Sequence, residues 1–279
     1  MTHRRGLLRA FAALPFLGWA MRAWAAEPAK PADSARATEA SPRPAPAPPP
    51  RTVTVFAPPS LQNALKEVSA ALAKSGGPQI AFTFASPAIL SRQIVQGTLA
   101  DVFISSDPVA MEELAKRALI QAASRHDILS NRLALIAPKD SLIHLKIAPW
   151  FPLLQALGGG KLAMADALEP AGVYGQAALS SLNVWTQVQS QVLRADSVRS
   201  ALNLVARGEA PLAIVYDTDA LAEPAVRIVD IFPETSHPAI LYAIAETRAA
   251  APGAGEVQRF IEGPEARAIF ERYGFKRLP

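Results

Sequence analysis

The residues of this chain best placed to do chemistry are Ser60, Ser86, Ser105, Ser106, Asp107, Asp166 and Tyr216. Each stands at or just past the end of an apolar run. In the clearest instance Val53-Thr-Val-Phe-Ala-Pro-Pro-Ser-Leu61 carries a β-type run into a helical stretch, with Ser60 at the junction. The unit recurs where 79–84 leads through Ala85-Ser86-Pro87 into a second helix, and where Ala195-Asp196-Ser197-Val198 opens a third. A hydroxyl at a helix start is by itself an ordinary N-cap. Several such starts together are an anion site in waiting, because the first N–H groups of each helix lack intrahelical partners and lie at the positive end of its dipole. The set includes no Lys or Arg, so an anion held there would meet hydroxyls and backbone N–H groups rather than a cation.

Other chemistries find little support. There is no Cys, which removes disulfide frameworks, thiolate nucleophiles and zinc–thiolate sites. His3, His126, His144 and His237 are widely spaced and form no ligand pair. There is no Gly-x-Ser-x-Gly elbow, no phosphate-binding Gly-Lys-Ser/Thr loop and no Gly-x-Gly-x-x-Gly. Gly158-Gly159-Gly160 precedes a strand and reads as a turn. No cofactor and no direct metal ligand is expected.

The elements that must position these residues alternate along the chain. Apolar runs predict strands at 53–57, 79–84, 101–104, 132–136, 161–164, 192–194, 212–215, 226–229 and 240–245. Amphipathic periodicity predicts helices at 61–73, 88–95, 108–117, 151–157, 172–181, 198–207, 256–261 and 264–273. Asp219 falls in the first turn of a further short helix. Strand–helix alternation implies an α/β fold with mostly parallel sheets flanked by helices, and in such sheets ligands sit beyond the carboxyl ends of the strands.

The N-terminus has a different composition. Arg4 and Arg5 precede an apolar stretch over 10–21, and Ala23-Trp24-Ala25 has the small-residue pattern of a cleavage site. This predicts a signal peptide at 1–25, cleavage after Ala25 and a periplasmic destination. His3-Arg-Arg-Gly-Leu-Leu-Arg9 also fits the twin-arginine export route. Residues 26–50, dominated by Pro and Ala, predict an extended linker. The formal charge of +4 belongs to the leader: four of the 28 basic residues lie in 1–25, which leaves 24 against 24 acidic ones. A neutral folded part offers no basic excess for a nucleic-acid partner.

The folded part resembles the molybdate-binding proteins of bacterial molybdate ABC transporters, in the type II periplasmic binding protein family. The resemblance covers 52–279. It rests on eight motifs in order: Val53 to Leu61, Phe84-Ala-Ser-Pro-Ala-Ile-Leu-Ser-Arg-Gln-Ile94, Ala100-Asp-Val-Phe-Ile-Ser-Ser-Asp107, Asn131-Arg-Leu-Ala-Leu-Ile-Ala-Pro138, Pro170-Ala-Gly-Val-Tyr174, Gly208-Glu-Ala-Pro-Leu-Ala-Ile-Val-Tyr216, Phe232-Pro-Glu-Thr-Ser-His-Pro238 and Ile269-Phe-Glu-Arg-Tyr-Gly-Phe275. It implies two lobes, one of 51–130 plus 239–279 and one of 131–238, joined by crossover strands near 131–138 and 238–246. It also implies a monomer that takes molybdate or tungstate, held as the oxyanion, and passes it to a membrane permease.

Carried over residue by residue, the resemblance places Ser60 and Tyr216 as hydroxyl donors and Ala171 and Val198 as backbone N–H donors. A second serine of the family falls on Pro87, which offers neither a hydroxyl nor an N–H. Ser86, one residue earlier, is the candidate to replace it. Glu169 stands beside the Pro-Ala-Gly turn. Two alternatives are a same-fold binding protein for a sulfate-like oxyanion or small organic acid, and a secreted enzyme using Ser60 or Ser86 with His237.

Overall fold

The computed structural model describes residues 52–278. The expected signal peptide and linker lie outside the described residues. Eleven strands and ten helices follow one another as β1 Val53–Ala57, α1 Gln62–Lys74, β2 Ile80–Phe84, α2 Pro87–Val95, β3 Val102–Ser105, α3 Pro108–Lys116, β4 His126–Asn131, β5 Leu133–Pro138, α4 Leu153–Leu157 and β6 Leu162–Ala165. Then come α5 Pro170–Ser181, α6 Trp185–Val188, β7 Val192–Ala195, α7 Val198–Ala206, β8 Leu212–Tyr216, α8 Asp217–Leu221, β9 Val226–Ile231, β10 Ile240–Glu246, α9 Ala254–Glu262, α10 Pro264–Arg272 and β11 Lys276–Arg277.

The strands form two sheets, giving a two-lobed α/β architecture. One sheet has six strands in the order β11-β4-β10-β3-β1-β2, and the other has five in the order β7-β6-β8-β5-β9. Each is mixed. Strand β1 pairs in parallel with β2 and β3, and β6 pairs in parallel with β7 and β8. The strands flanking the crossings run antiparallel: β10 against β3 and β4, and β5 against β8 and β9. The mostly parallel sheets expected from strand–helix alternation therefore exist only in one half of each lobe. The reason is topological. The chain leaves the first sheet along β4, enters the second along β5 after Arg132 alone, and returns between β9 and β10.

Both faces of the first sheet are covered. Along β1, Val53, Val55 and Ala57 join one core with Leu61, Leu65 and Val68, while Phe56 points the other way. Phe56 packs with Phe103 of β3 and with Leu90, Met111 and Leu114 from α2 and α3. This is the period-2 alternation of a strand buried on both sides. Strand β2, at the sheet edge, alternates exposed and half-buried residues instead.

The predicted helices at 88–95 and 172–181 begin earlier than expected, at Pro87 and Pro170. Proline suits the first helical position, since its missing N–H would be unpaired there and its φ is already helical. Strand β4 was not expected, because His-Asp-Ile-Leu-Ser-Asn has no continuous apolar run. It is recruited by pairing with β10 and β11.

Candidate functional site

The carboxyl ends of the two parallel trios, β1–β3 and β6–β8, meet at one cleft. A cavity of ≈ 20 Å³ there is lined by Pro58, Pro59, Ser60, Pro87 and Ser106 from the first lobe, and by Glu169, Pro170, Ala171, Ser197, Val198 and Tyr216 from the second. Of the five candidate ligand residues, Ser60, Ala171, Val198 and Tyr216 line this cavity together. Ser86 is one residue removed and buried, and its neighbour Pro87 forms the wall.

The prolines decide which N–H groups are available. Pro59, Pro87 and Pro170 each occupy the first position of a helical turn. They withdraw one donor apiece and leave the next residues, Ser60, Ala88 and Ala171, as the first with an N–H. At α7 the N-cap is Ser197, whose side chain accepts from Ser200 N–H, so Val198 is the first donor. Helix α5 starts flush against the end of β6. A Cβ on Gly172 would lie 1.9 Å from the Asp166 carbonyl oxygen and 2.6 Å from that of Ala165. Only glycine allows this approach, which sets the Ala171 N–H beside the cavity.

Two side-chain hydroxyls in this region are buried with no partner at hydrogen-bond distance: Tyr216 Oη, which has the Ser106 side chain near it, and Ser86 Oγ, which has Glu169 near it. A buried hydroxyl left unpaired costs about 1–3 kcal/mol, so such groups point to a role outside the resting fold. Burial also pushes the Tyr216 phenol well above its ordinary range, so it keeps its proton. The Ser60 hydroxyl lies 3.0 Å from Tyr242 Oη, and Tyr242 in turn takes a hydrogen bond from Asn131 Nδ2 at 3.1 Å. Asn131 and Tyr242 were not singled out as site residues in the sequence. They are 111 residues apart and meet only because β4 pairs with β10.

Charge is arranged away from the cavity. Among the lining residues there is no Lys or Arg, and Glu169 is the one ionisable carboxyl. Burial pushes its carboxyl up, with Asp166, Asp107 and Asp196 adding to the shift, while the Ser86 hydroxyl opposes it. Arg199, one residue beyond Val198, is held 2.5 Å from the fully buried Asp219. Arg132 is paired with Asp217 at 2.6 Å. The enzyme alternative gains no support: among the described residues no hydrogen bond joins His237 to Ser60 or Ser86, and His237 Nδ1 contacts its neighbour's carbonyl, Pro238 O, at 2.8 Å. Ser60 is bonded to a tyrosine instead.

A two-lobed α/β fold with a small, donor-lined cleft at its strand ends is the architecture of a solute-binding protein. The chain belongs to the bacterial extracellular solute-binding protein family, whose profile matches residues 53–276. It is a binding protein rather than an enzyme. It is 39% identical over 232 residues to the molybdate-binding protein ModA of Escherichia coli K12, covering 80% of this chain and 88% of that protein. It is 34% identical to ModA of Haemophilus influenzae, over 80% and 89% of the two chains. Among solved structures, the periplasmic molybdate-binding protein of Azotobacter vinelandii shares the fold with a TM-score of 0.71 at 22% identity, covering 81% of this chain and 99% of that one.

Proposed function

We propose that this protein captures molybdate, or tungstate, outside the cytoplasm and delivers it to the membrane permease of an ABC transporter. The observation that carries the reading is the pair of buried, unpartnered hydroxyls: Tyr216 Oη lines, with the starts of α5 and α7, a cavity walled without a cation, and Ser86 Oγ lies one residue behind its Pro87 wall. A tetrahedral oxyanion accepts from every side and needs no proton given back. Convergent hydroxyl and N–H dipoles can replace its hydration shell. The cavity is far below the ~300 Å³ at which pockets for drug-sized ligands begin. Identity of 39% and 34% to two molybdate-binding proteins supports molybdenum oxyanions in particular.

In this reading Ser60, Ser86 and Tyr216 donate through side chains, and Ala171 and Val198 through backbone N–H groups. The two lobes close on the ion by a hinge motion at the crossings, and the closed form is what the permease recognises. The protein acts as a monomer, is exported by the twin-arginine route and is cleaved after Ala25. Mass spectrometry of the exported form tests the last point, which requires a first residue of Ala26.

Calorimetry of the mature protein against molybdate, tungstate, sulfate and phosphate tests the ligand. Molybdate and tungstate are expected to bind and the smaller ions to bind far more weakly. Ser60→Ala and Tyr216→Phe are each expected to weaken binding about ten- to a hundredfold, the value of one hydrogen bond to a charged group at about 1.5–3 kcal/mol. No binding of any of the four ions, or full affinity in both variants, overturns the reading.

A further inference from the structure

We propose that Asn131 and Tyr242 fix the direction of the Ser60 hydroxyl, so that it presents its proton to the cleft as a donor to a ligand oxygen. The inference rests on the oxyanion reading and adds two positioning residues to it.

The direction is set by a backbone group. The Arg132 N–H donates to Asn131 Oδ1 at 2.8 Å, which fixes the orientation of the Asn131 amide. The Nδ2 end then donates both its protons, to Thr218 Oγ1 at 3.0 Å and to Tyr242 Oη at 3.1 Å. Tyr242 is fully buried, and burial holds its phenol well above the ordinary range, so it has one proton of its own to place. The Ser60 Oγ, at 3.0 Å, is the group in reach. In the opposite arrangement Ser60 would donate to Tyr242, and the phenol would take two donors while leaving its own proton buried and unpaired. That loss is the full desolvation penalty of a polar group. Tyr242 therefore donates to Ser60, and the Ser60 proton turns to the cavity that its side chain lines.

A free serine hydroxyl rotates to donate or accept as the ligand requires. Here the rotor is set before the ligand arrives, and such preorganisation lowers the cost of binding. The chain of bonds also spans the hinge: Asn131 ends β4, Tyr242 lies on β10, and Thr218 belongs to α8 of the other lobe. Ser60 is thus directed by residues at both crossings.

A double-mutant cycle tests this on the mature full-length protein, with sodium molybdate as probe in calorimetry and thermal unfolding as a check on folding. Ser60→Ala and Tyr242→Phe are each expected to weaken molybdate binding about tenfold or more. If Tyr242 acts through Ser60, the double variant binds no more weakly than Ser60→Ala alone. Additive losses, or an unchanged Tyr242→Phe, overturn the inference. If Tyr242→Phe does not fold, Asn131→Asp replaces it. A carboxylate there accepts the Tyr242 proton and turns Ser60 away from the cleft, so affinity falls in the parent and not further in the Ser60→Ala background. Equal losses in both backgrounds again overturn the inference. A parent that binds no molybdate removes the oxyanion reading and this inference with it, whereas a parent that binds with an additive cycle removes the inference alone.

Discussion

Glu169 and Ser86 stand at the starts of two helices in different lobes, α5 and α2, close enough that the serine hydroxyl favours the charged form of the carboxyl. The Ser86 Oγ nevertheless has no partner at hydrogen-bond distance. Burial outweighs it and raises the Glu169 carboxyl above its ordinary value of 4.5. A dianion in the adjoining cavity repels the ionised form further, so the bound state holds a proton that the free state loses more readily. Binding then takes up a proton at pH values between the free-state and bound-state values. Affinity falls as pH rises through the window between the free and bound values, by up to about tenfold per pH unit. Glu169→Gln keeps the shape, removes the titration and supplies a donor. It is expected to bind molybdate more tightly than the parent at neutral pH and with a flat pH profile. Calorimetry in buffers of differing ionisation enthalpy reads the proton uptake directly, and parallel pH profiles for the two proteins defeat the prediction.

Pro87→Ser is expected to tighten molybdate binding. Pro87 is buried in the cavity wall at the first position of α2, where it offers neither N–H nor hydroxyl. Serine there adds both at a helix start already aimed at the cleft, each a charge-assisted bond to the ion. The gain is expected to fall short of two full bonds, because serine loosens a turn that proline pre-orders. Calorimetry beside the parent decides it. No gain for molybdate or tungstate means that Ser86 already fills the role.

Gly172→Ala is expected to abolish oxyanion binding while costing stability. The added methyl would sit 1.9 Å from the Asp166 carbonyl oxygen, which is backbone and has no side-chain freedom to yield. The start of α5 must lift from the end of β6, taking the Ala171 N–H with it. Thermal unfolding and calorimetry together check this, and a variant with parental affinity would show that the helix start is not part of the site.

Much of the candidate site was legible in the sequence because its parts are local. A strand end, a hydroxyl and a helix start within a few residues identify Ser60 and Ser86, and Tyr216 closes an apolar run. What escaped is made by distant pairing. Strand β4 has no apolar signature, so Asn131 reads only as the residue before the strand expected at 132–136 and Tyr242 as a strand interior; only β4–β10 pairing joins them to Ser60. Local alternation also implies parallel strands by default, and it cannot show that the chain reverses direction where it crosses between lobes. Glu169 was visible beside its turn, but whether its carboxyl faces the cleft depends on how the second lobe meets the first.

Arg199→Met is expected to destabilise the protein, with a marked pH dependence. Asp219 is fully buried, and burial raises its carboxyl to about 6 from the ordinary 3.8 despite the opposing pull of Arg199. A carboxyl whose folded value is raised favours the folded state most at low pH. That contribution declines as pH climbs between 3.8 and about 6, then stays level. Removing Arg199 takes away the attraction 2.5 Å from the carboxylate and raises the folded value further, so the decline continues above 6. Breaking a buried pair on one side costs about 3–5 kcal/mol. The full loss is therefore expected above neutrality and a much smaller one near about pH 5, where the carboxyl is protonated in the folded variant. Asp219→Asn in the same background leaves no charge to bury and is expected to restore most of the stability and flatten the profile. Denaturant unfolding at several pH values measures all three proteins. A loss that is constant with pH, or one that Asp219→Asn leaves in place, would show that Arg199 stabilises α7 by packing rather than by neutralising Asp219.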